Sequence, residues 1–166
     1  ALRLFNVFGA GQALSNPYTG VLANFAARLS NGQRPIIFED GEQRRDFVHV
    51  EDVARAFRLA LEKPAAPGHV FNVGSGQAYT IAQVAALLAQ AMDCPHLEPE
   101  ITSQARAGDI RNCFADISKA QELLGFTPRH RLENSLGPFA AWVRNTGGLD
   151  RGAQMQQELM ARGLVS

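Results

Sequence analysis

The densest polar cluster in the chain is Gln43-Arg44-Arg45-Asp46, set between an Asp40-Gly41 turn pair and the apolar run Phe47-Val48. Adjacent residues of a strand point to opposite faces, so one of the two arginines is directed inward. An inward guanidinium requires an anionic partner, because an unpaired buried charge is costly. That partner is either Asp46 or another carboxylate of the fold, or a ligand phosphate gripped by two parallel N–H bonds. A second cluster, Arg106-Ala107-Gly108-Asp109, follows Pro99 in an irregular stretch where Gly108 permits close backbone approach. It reads either as a loop that holds a phosphate and a sugar hydroxyl or as an ordinary solvated loop. Asn6 and Asn72 each stand at the end of an expected parallel strand. Open α/β sheets bind ligands at the carboxyl ends of their strands. An Asn there offers donor and acceptor to a base edge or a hydroxyl, or else closes its own turn.

Other chemistries leave no mark on these residues. No Gly-x-Gly-x-x-Gly turn, phosphate-binding Lys loop, Gly-x-Ser-x-Gly elbow or His-Glu-x-x-His helix occurs. Gly9 and Gly11, like Gly74 and Gly76, follow strands but lack the third glycine. His49, His69, His96 and His130 have no ligand spacing, so no metal site is expected. Cys94 and Cys113 have neither metal nor disulfide-framework spacing. With no signal-peptide pattern, a reducing cytoplasm is the default expectation.

The elements that must carry the polar clusters follow from periodicity. Residues 1–7 form an apolar run of strand type, and a helix is expected from Gly20 to Ser30. Strands are expected at 35–38, at 47–50 and at 70–73. Glu51 and Asp52 open a helix at its positive end, with an apolar face of Val53, Ala54, Phe57, Ala60 and Leu61, and Pro64 ends it. Thr80 with Gln83 and Ser118 with Gln121 read as capping boxes of two further helices, the second stopping at Gly125. Helices over about 132–145 and 150–162 close the chain. The alternation indicates an α/β fold, and no convincing linker divides residues 1–166.

The chain has 166 residues, 46% of them hydrophobic, with 16 basic and 16 acidic side chains. That suffices for a buried core without staples and argues against disorder. Zero net charge removes the footprint of a general nucleic-acid binder. No apolar run reaches the length of a membrane span. The basic charge is carried by fourteen Arg and two Lys. A chain that opens directly on an apolar strand is expected to be a piece of a longer protein. The strand at 1–7 and the helix at 80–92 are then each expected to leave an apolar face open.

Several blocks resemble one family when taken together. Leu2-Arg3-Leu4-Phe5-Asn6-Val7-Phe8-Gly9 is similar to the "LRxFNVYGP" segment of extended short-chain dehydrogenases/reductases, with Ala10 where Pro is common. The stretch from Asp40 to Ala54 resembles their "DGxQxRDFVHVxDVA" block, and Val70 to Gly76 resembles "xxNVGSG". Arg106 to Asp109, Ala115 to Ala120 and Leu124 to Pro128 complete the series in family order over residues 1–145. The pattern is nearest to NAD-dependent nucleotide-sugar 4-epimerases of the epimerase/dehydratase group.

The resemblance implies the carboxy-terminal, substrate-binding part of an extended Rossmann-type fold, without the N-terminal dinucleotide-binding half. It implies that Arg45 and Arg106 hold the diphosphate of a UDP- or dTDP-sugar and that Asn6 touches phosphate or sugar. Asn72 and Asp109 fall on the nucleoside side, and Pro35 to Ile37 at the base. Phe5 and Val7 fall near the nicotinamide of NAD. The family's Tyr-x-x-x-Lys proton-transfer pair is not among these residues, so no catalytic residue is expected here and the chain alone is expected to be inactive. The full protein is expected to be a homodimer, with neither nucleic acid nor membrane as partner. A 4,6-dehydratase, a related reductase and a non-catalytic nucleotide-binding module are the alternative readings.

Overall fold

A computed structural model of the chain describes residues 1–14, 20–104, 109–146 and 160–161. In order, the elements begin with β1 (Leu2–Leu4), β2 (Asn6–Phe8), α1 (Val21–Ser30), β3 (Ile36–Ile37), β4 (Arg44–Arg45), β5 (Phe47–His49) and α2 (Val50–Glu62). They continue with β6 (Phe71–Val73), β7 (Tyr79–Thr80), α3 (Ile81–Ala91), β8 (Glu100–Ile101), β9 (Asn112–Cys113), α4 (Ser118–Leu124) and α5 (Leu132–Thr146). Of the expected last helix only Met160 and Ala161 are described, and both are helical.

The α/β expectation holds, but the opening run is two strands rather than one. β1 pairs in parallel with β6, and β2 pairs in parallel with β5. The exchange happens at Phe5, whose amide bonds Val73 O at 3.1 Å while the next amide, that of Asn6, bonds Asp46 O at 3.1 Å. A run of apolar residues specifies extended backbone but not which neighbour takes its hydrogen bonds. Nor is the run buried: Leu4 and Val7 are exposed, none of residues 1–7 is sealed, and burial begins at Phe8.

Two apolar clusters fill the interior. One gathers α1, α3 and α5 around Phe8, Phe25, Ile37, Leu88, Leu136 and Phe139. The other lies beneath α2 and α4, around Val48, Val53, Phe71, Leu124 and Phe126. α3 therefore packs inside the chain, with Val84, Ala85 and Leu88 buried, and leaves no open apolar face of the kind expected for it. α2 departs in the other direction. Its buried residues are Asp52, Val53 and Ala56, whereas Phe57 is 49% and Leu61 87% exposed. A buried carboxylate takes the place of an apolar contact and rotates the helix away from the face that hydropathy alone indicates.

Helix starts are legible only where the cap lies in the expected residue. Thr80 Oγ1 accepts from Gln83 N at 3.1 Å and Gln83 Oε1 accepts from Thr80 N at 2.9 Å, as the motif predicts. The Ser118–Gln121 box does not form. α4 starts at Ser118 itself, and Asp116 Oδ1 accepts from both the amide (2.9 Å) and the hydroxyl (2.6 Å) of Ser118. The carboxylate two residues upstream takes the Ser118 amide in place of the Gln121 side chain and engages the Ser118 hydroxyl as well. Gly125 ends α4 in the left-handed region, φ 66°, as expected.

Candidate functional site

Arg45 and Asp46 are neighbours in sequence and face opposite ways. β4 is the centre of a three-stranded sheet, antiparallel to β7 and parallel to β9, with Arg45 opposite Tyr79 and Cys113. Arg44 is exposed and Arg45 half-buried, the alternation expected of a strand. The Arg45 guanidinium donates to Asp109 Oδ1 at 2.6 Å, and also to the backbone oxygens of Arg44 and Arg111. Its partner is thus a carboxylate of the fold, and not Asp46.

Asp46 is fully buried and serves the scaffold. Its Oδ1 accepts from the amide and hydroxyl of Ser75 at 2.6 and 2.7 Å. Its Oδ2 accepts from Gly76 N at 3.0 Å and Ala115 N at 3.3 Å. A Cβ at Gly74 would collide with this carboxylate and with the Ala115 side chain, so the chain needs glycine there. One carboxylate thereby joins β4, the turn after β6 and the strand-to-helix segment before α4.

Asn6 belongs to the same junction. Its Nδ2 donates to Asp46 O at 3.0 Å, which holds its side chain beside the Asp46–Phe47 peptide. Asn72 sits in the middle of β6 rather than at its end. It donates to Asp116 O at 3.1 Å and accepts from Arg3 at 3.3 Å, so it shares no partner with Arg45. Phe5 and Val7 lie on the partly open edge where β1 passes into β2. Arg106 lies outside the described residues.

Pro35 and Ile37 do not line an open pocket with their side chains. Both are buried, and Ile37 lies in the core against the helical layer. Their carbonyl oxygens are used by Glu100 N and Thr102 N at 2.8 and 2.9 Å. The pleat of β3 turns Ile37 inward and leaves Ile36 partly exposed.

A cleft of about 410 Å³ opens elsewhere, among Ser75, Gln77, Asp116, Ser118, His130 and Arg131. None of the substrate- or cofactor-binding residues expected from the resemblance lines it. At its rim the fold makes a cluster that the sequence did not suggest: ligand-type atoms of His49, Glu51 and His130 lie within 4.8 Å of one another. The histidines are far apart in the chain, and no spacing rule connects them. Burial and the neighbouring His130 ring push the His49 imidazole below its ordinary pKa. Among the described residues, no helix is long and apolar enough to cross a membrane, and both cysteines are free thiols.

Comparison with known proteins agrees with this architecture. The sequence model of the NAD dependent epimerase/dehydratase family matches residues 1–74. A dTDP-L-rhamnose 4-epimerase of Burkholderia thailandensis is 38% identical over 86% of this chain and 39% of its own length. A UDP-glucose 4-epimerase of Thermotoga maritima, solved with UDP-glucose, is 39% identical with a TM-score of 0.77 over 87% of this chain and 45% of that one. A UDP-glucuronic acid 4-epimerase of Bacillus cereus, solved with UDP-glucuronic acid and NAD, is 26% identical with a TM-score of 0.77 over the same shares of the two chains, 87% and 45%. The chain thus spans less than half the length of each of these relatives. The sequence blocks, the paired parallel strands that carry them and this likeness in sequence and backbone agree: the chain belongs to the NAD dependent epimerase/dehydratase family of extended short-chain dehydrogenases/reductases.

Proposed function

We propose that this chain is the nucleotide-sugar-binding portion of an NAD-dependent nucleotide-sugar 4-epimerase. The observation that carries the proposal is the Arg45–Asp109 pair. It joins a cation and an anion that are both partly shielded from water, with side-chain exposures of 15% and 13%. Asp109 leads back into the motif that contains Arg106. A diphosphate can replace the carboxylate on Arg45, since a guanidinium fork suits both anions. Asp109 is then released to accept from a ribose hydroxyl. Arg106 is the second cation of this reading on the strength of its motif. Asn6, beside the Asp46–Phe47 peptide, reaches the phosphate or the sugar. The nucleoside lies toward Asn72, and the base meets the backbone and Ile36 of β3 rather than the Ile37 side chain.

The described residues fit a limited role toward NAD. Phe5 and Val7 give a partly open apolar edge suited to a flat ring, and the chain contains no Gly-rich pyrophosphate turn. The chemistry that the cofactor supplies when bound is acceptance of hydride from sugar C4 and its return to the opposite face. The residues of this chain hold the substrate by its diphosphate, which orients the ring for that exchange. The relatives that are 38% and 39% identical to the chain are both 4-epimerases, which favours epimerisation over the alternatives.

The test is isothermal titration of UDP and dTDP into wild type, Arg45→Ala and Arg45→Lys. Loss of a charge-assisted contact in a shielded site is expected to cost roughly 2–5 kcal/mol of binding. Lys is expected to restore only part of it, because it lacks the planar fork. Unchanged affinity in folded Arg45→Ala would refute the assignment.

A further inference from the structure

We propose that His49, Glu51 and His130 form a binding site for a divalent transition-metal ion of the zinc type. The three side chains come from two separated segments, the β5–α2 junction and the loop that leads into α5. Their ligand-type atoms lie within 4.8 Å of one another. His130 Nε2 stands 3.3 Å from Glu51 Oε2. That is the edge of a tetrahedron with bonds of roughly 2.0–2.1 Å, which measures about 3.3 Å. The His49 and His130 rings lie 4.5 Å apart, tilted by 32°, and the ligand-type atom of His49 lies within 4.8 Å of those of Glu51 and His130.

The surroundings of His130 provide the second argument. Its other nitrogen, Nδ1, lies 3.2 Å from Asp52 Oδ2 and is buried without a well-aligned hydrogen bond. Asp52 cannot follow the ring, because it is only 1% exposed and is held by the amides of Arg129 and His130 and by Arg55. A metal on Nε2 places the imidazole proton on Nδ1, where it can be donated to Asp52. A carboxylate behind the non-ligating nitrogen is the usual outer support of a metal-bound histidine.

His49 has the matching lone pair. Its Nδ1 accepts only a long bond of 3.3 Å from Glu51 N, for which a metal can compete. Two imidazoles and one carboxylate select zinc, cobalt or nickel over magnesium or calcium. Glu51 is 69% exposed, so the ion can enter from solvent, and water can complete its coordination. Bound there, the ion clamps the start of α2 to the segment before α5. None of the three residues contacts the proposed diphosphate anchor, so the two assignments stand or fall separately.

The test uses the full chain, stripped with a chelator and titrated with Co²⁺, with Zn²⁺ in competition and Mg²⁺ as a control. The expected result is one equivalent of Co²⁺ with visible d–d bands of a nitrogen–oxygen site, displaced by Zn²⁺ and unaffected by Mg²⁺. His49→Gln and His130→Gln are each expected to weaken binding by about tenfold to a hundredfold. Zn²⁺ is expected to raise the melting temperature of wild type and not of these variants, by mass action on the folded state. Glu51→Gln keeps its backbone amide and an exposed side chain, so it remains decisive if a histidine variant fails to fold; it too is expected to bind at least tenfold more weakly. Absence of the cobalt bands, or binding that is unchanged in Glu51→Gln and in the folded histidine variants, would overturn the site.

Discussion

Arg45, the last residue of β4, and Asp46, which links β4 to β5, do opposite work. Asp46 is sealed, and all four of its donors belong to the turn after β6 and to Ala115. Arg45 is half-open, and its charged partner is a side chain on another loop. A buried carboxylate whose partners are largely backbone groups is scaffolding, because no ligand can stand in for those donors. A guanidinium paired with a side-chain carboxylate has a partner that another anion can replace, the exchange on which the proposed function rests.

Stability measurements can break or sharpen this contrast. The largest expected effect is that of Asp46→Ala, which strands the Ser75, Gly76 and Ala115 amides. An unsatisfied buried donor costs about 1–3 kcal/mol, the full cost falling on the Ala115 amide and less on the more open Ser75 and Gly76 amides, so a loss of roughly 3–5 kcal/mol in urea unfolding is expected. A loss near zero would mean that Asp46 is not the junction described here.

Gly74→Ala comes next. The added methyl meets the Asp46 carboxylate and Ala115, and overpacking of this kind costs about 1–3 kcal/mol. With Asp46→Ala in the same chain the clash is partly relieved, so the double variant should lose less than the two single losses added together. Strict additivity of the urea midpoints would contradict the contact.

Arg45→Ala should be milder for folding. Its charge-assisted hydrogen bond joins side chains that are only 15% and 13% exposed, so its loss costs about 1–2 kcal/mol, still less than that of the junction carboxylate. Arg45→Ala that unfolds as readily as Asp46→Ala would erase the distinction between the two residues.

The smallest effect is one of pH. Burial and a hydrogen bond with Glu133 push the Tyr79 phenol, which faces Arg45 across the sheet, up to about 12. A raised acid pKa favours the protonated form in the folded state. Its stabilisation is thus complete below about pH 10 and is lost as pH rises toward 12. Tyr79→Phe should flatten this part of the stability profile, as followed by thermal unfolding at several alkaline pH values.

Much of this arrangement was legible beforehand where the cause is local. The Thr80–Gln83 box, the Gly125 stop and the alternation of Arg44 and Arg45 each depend on residues within a few positions of one another. Legibility failed where a distant group competed. Asp116 took the amide that Ser118 was expected to share with Gln121, and Asp52 drew α2 round so that Phe57 and Leu61 face solvent. Ile37 carried the right residue type for a pocket but the wrong pleat phase.

The amino-acid sequence sufficed for the α/β class, for the family and for the expectation that one of two adjacent arginines meets an anion, because backbone preference, short motifs and charge are properties of neighbouring residues. Tertiary structure alone decided which carboxylate Arg45 meets, which neighbour each half of the opening run pairs with, and that His49, Glu51 and His130 share one corner. The physical reason is that hydrogen bonds and ion pairs are settled by distance in space, and the chain encodes that distance only through the packing of the whole core.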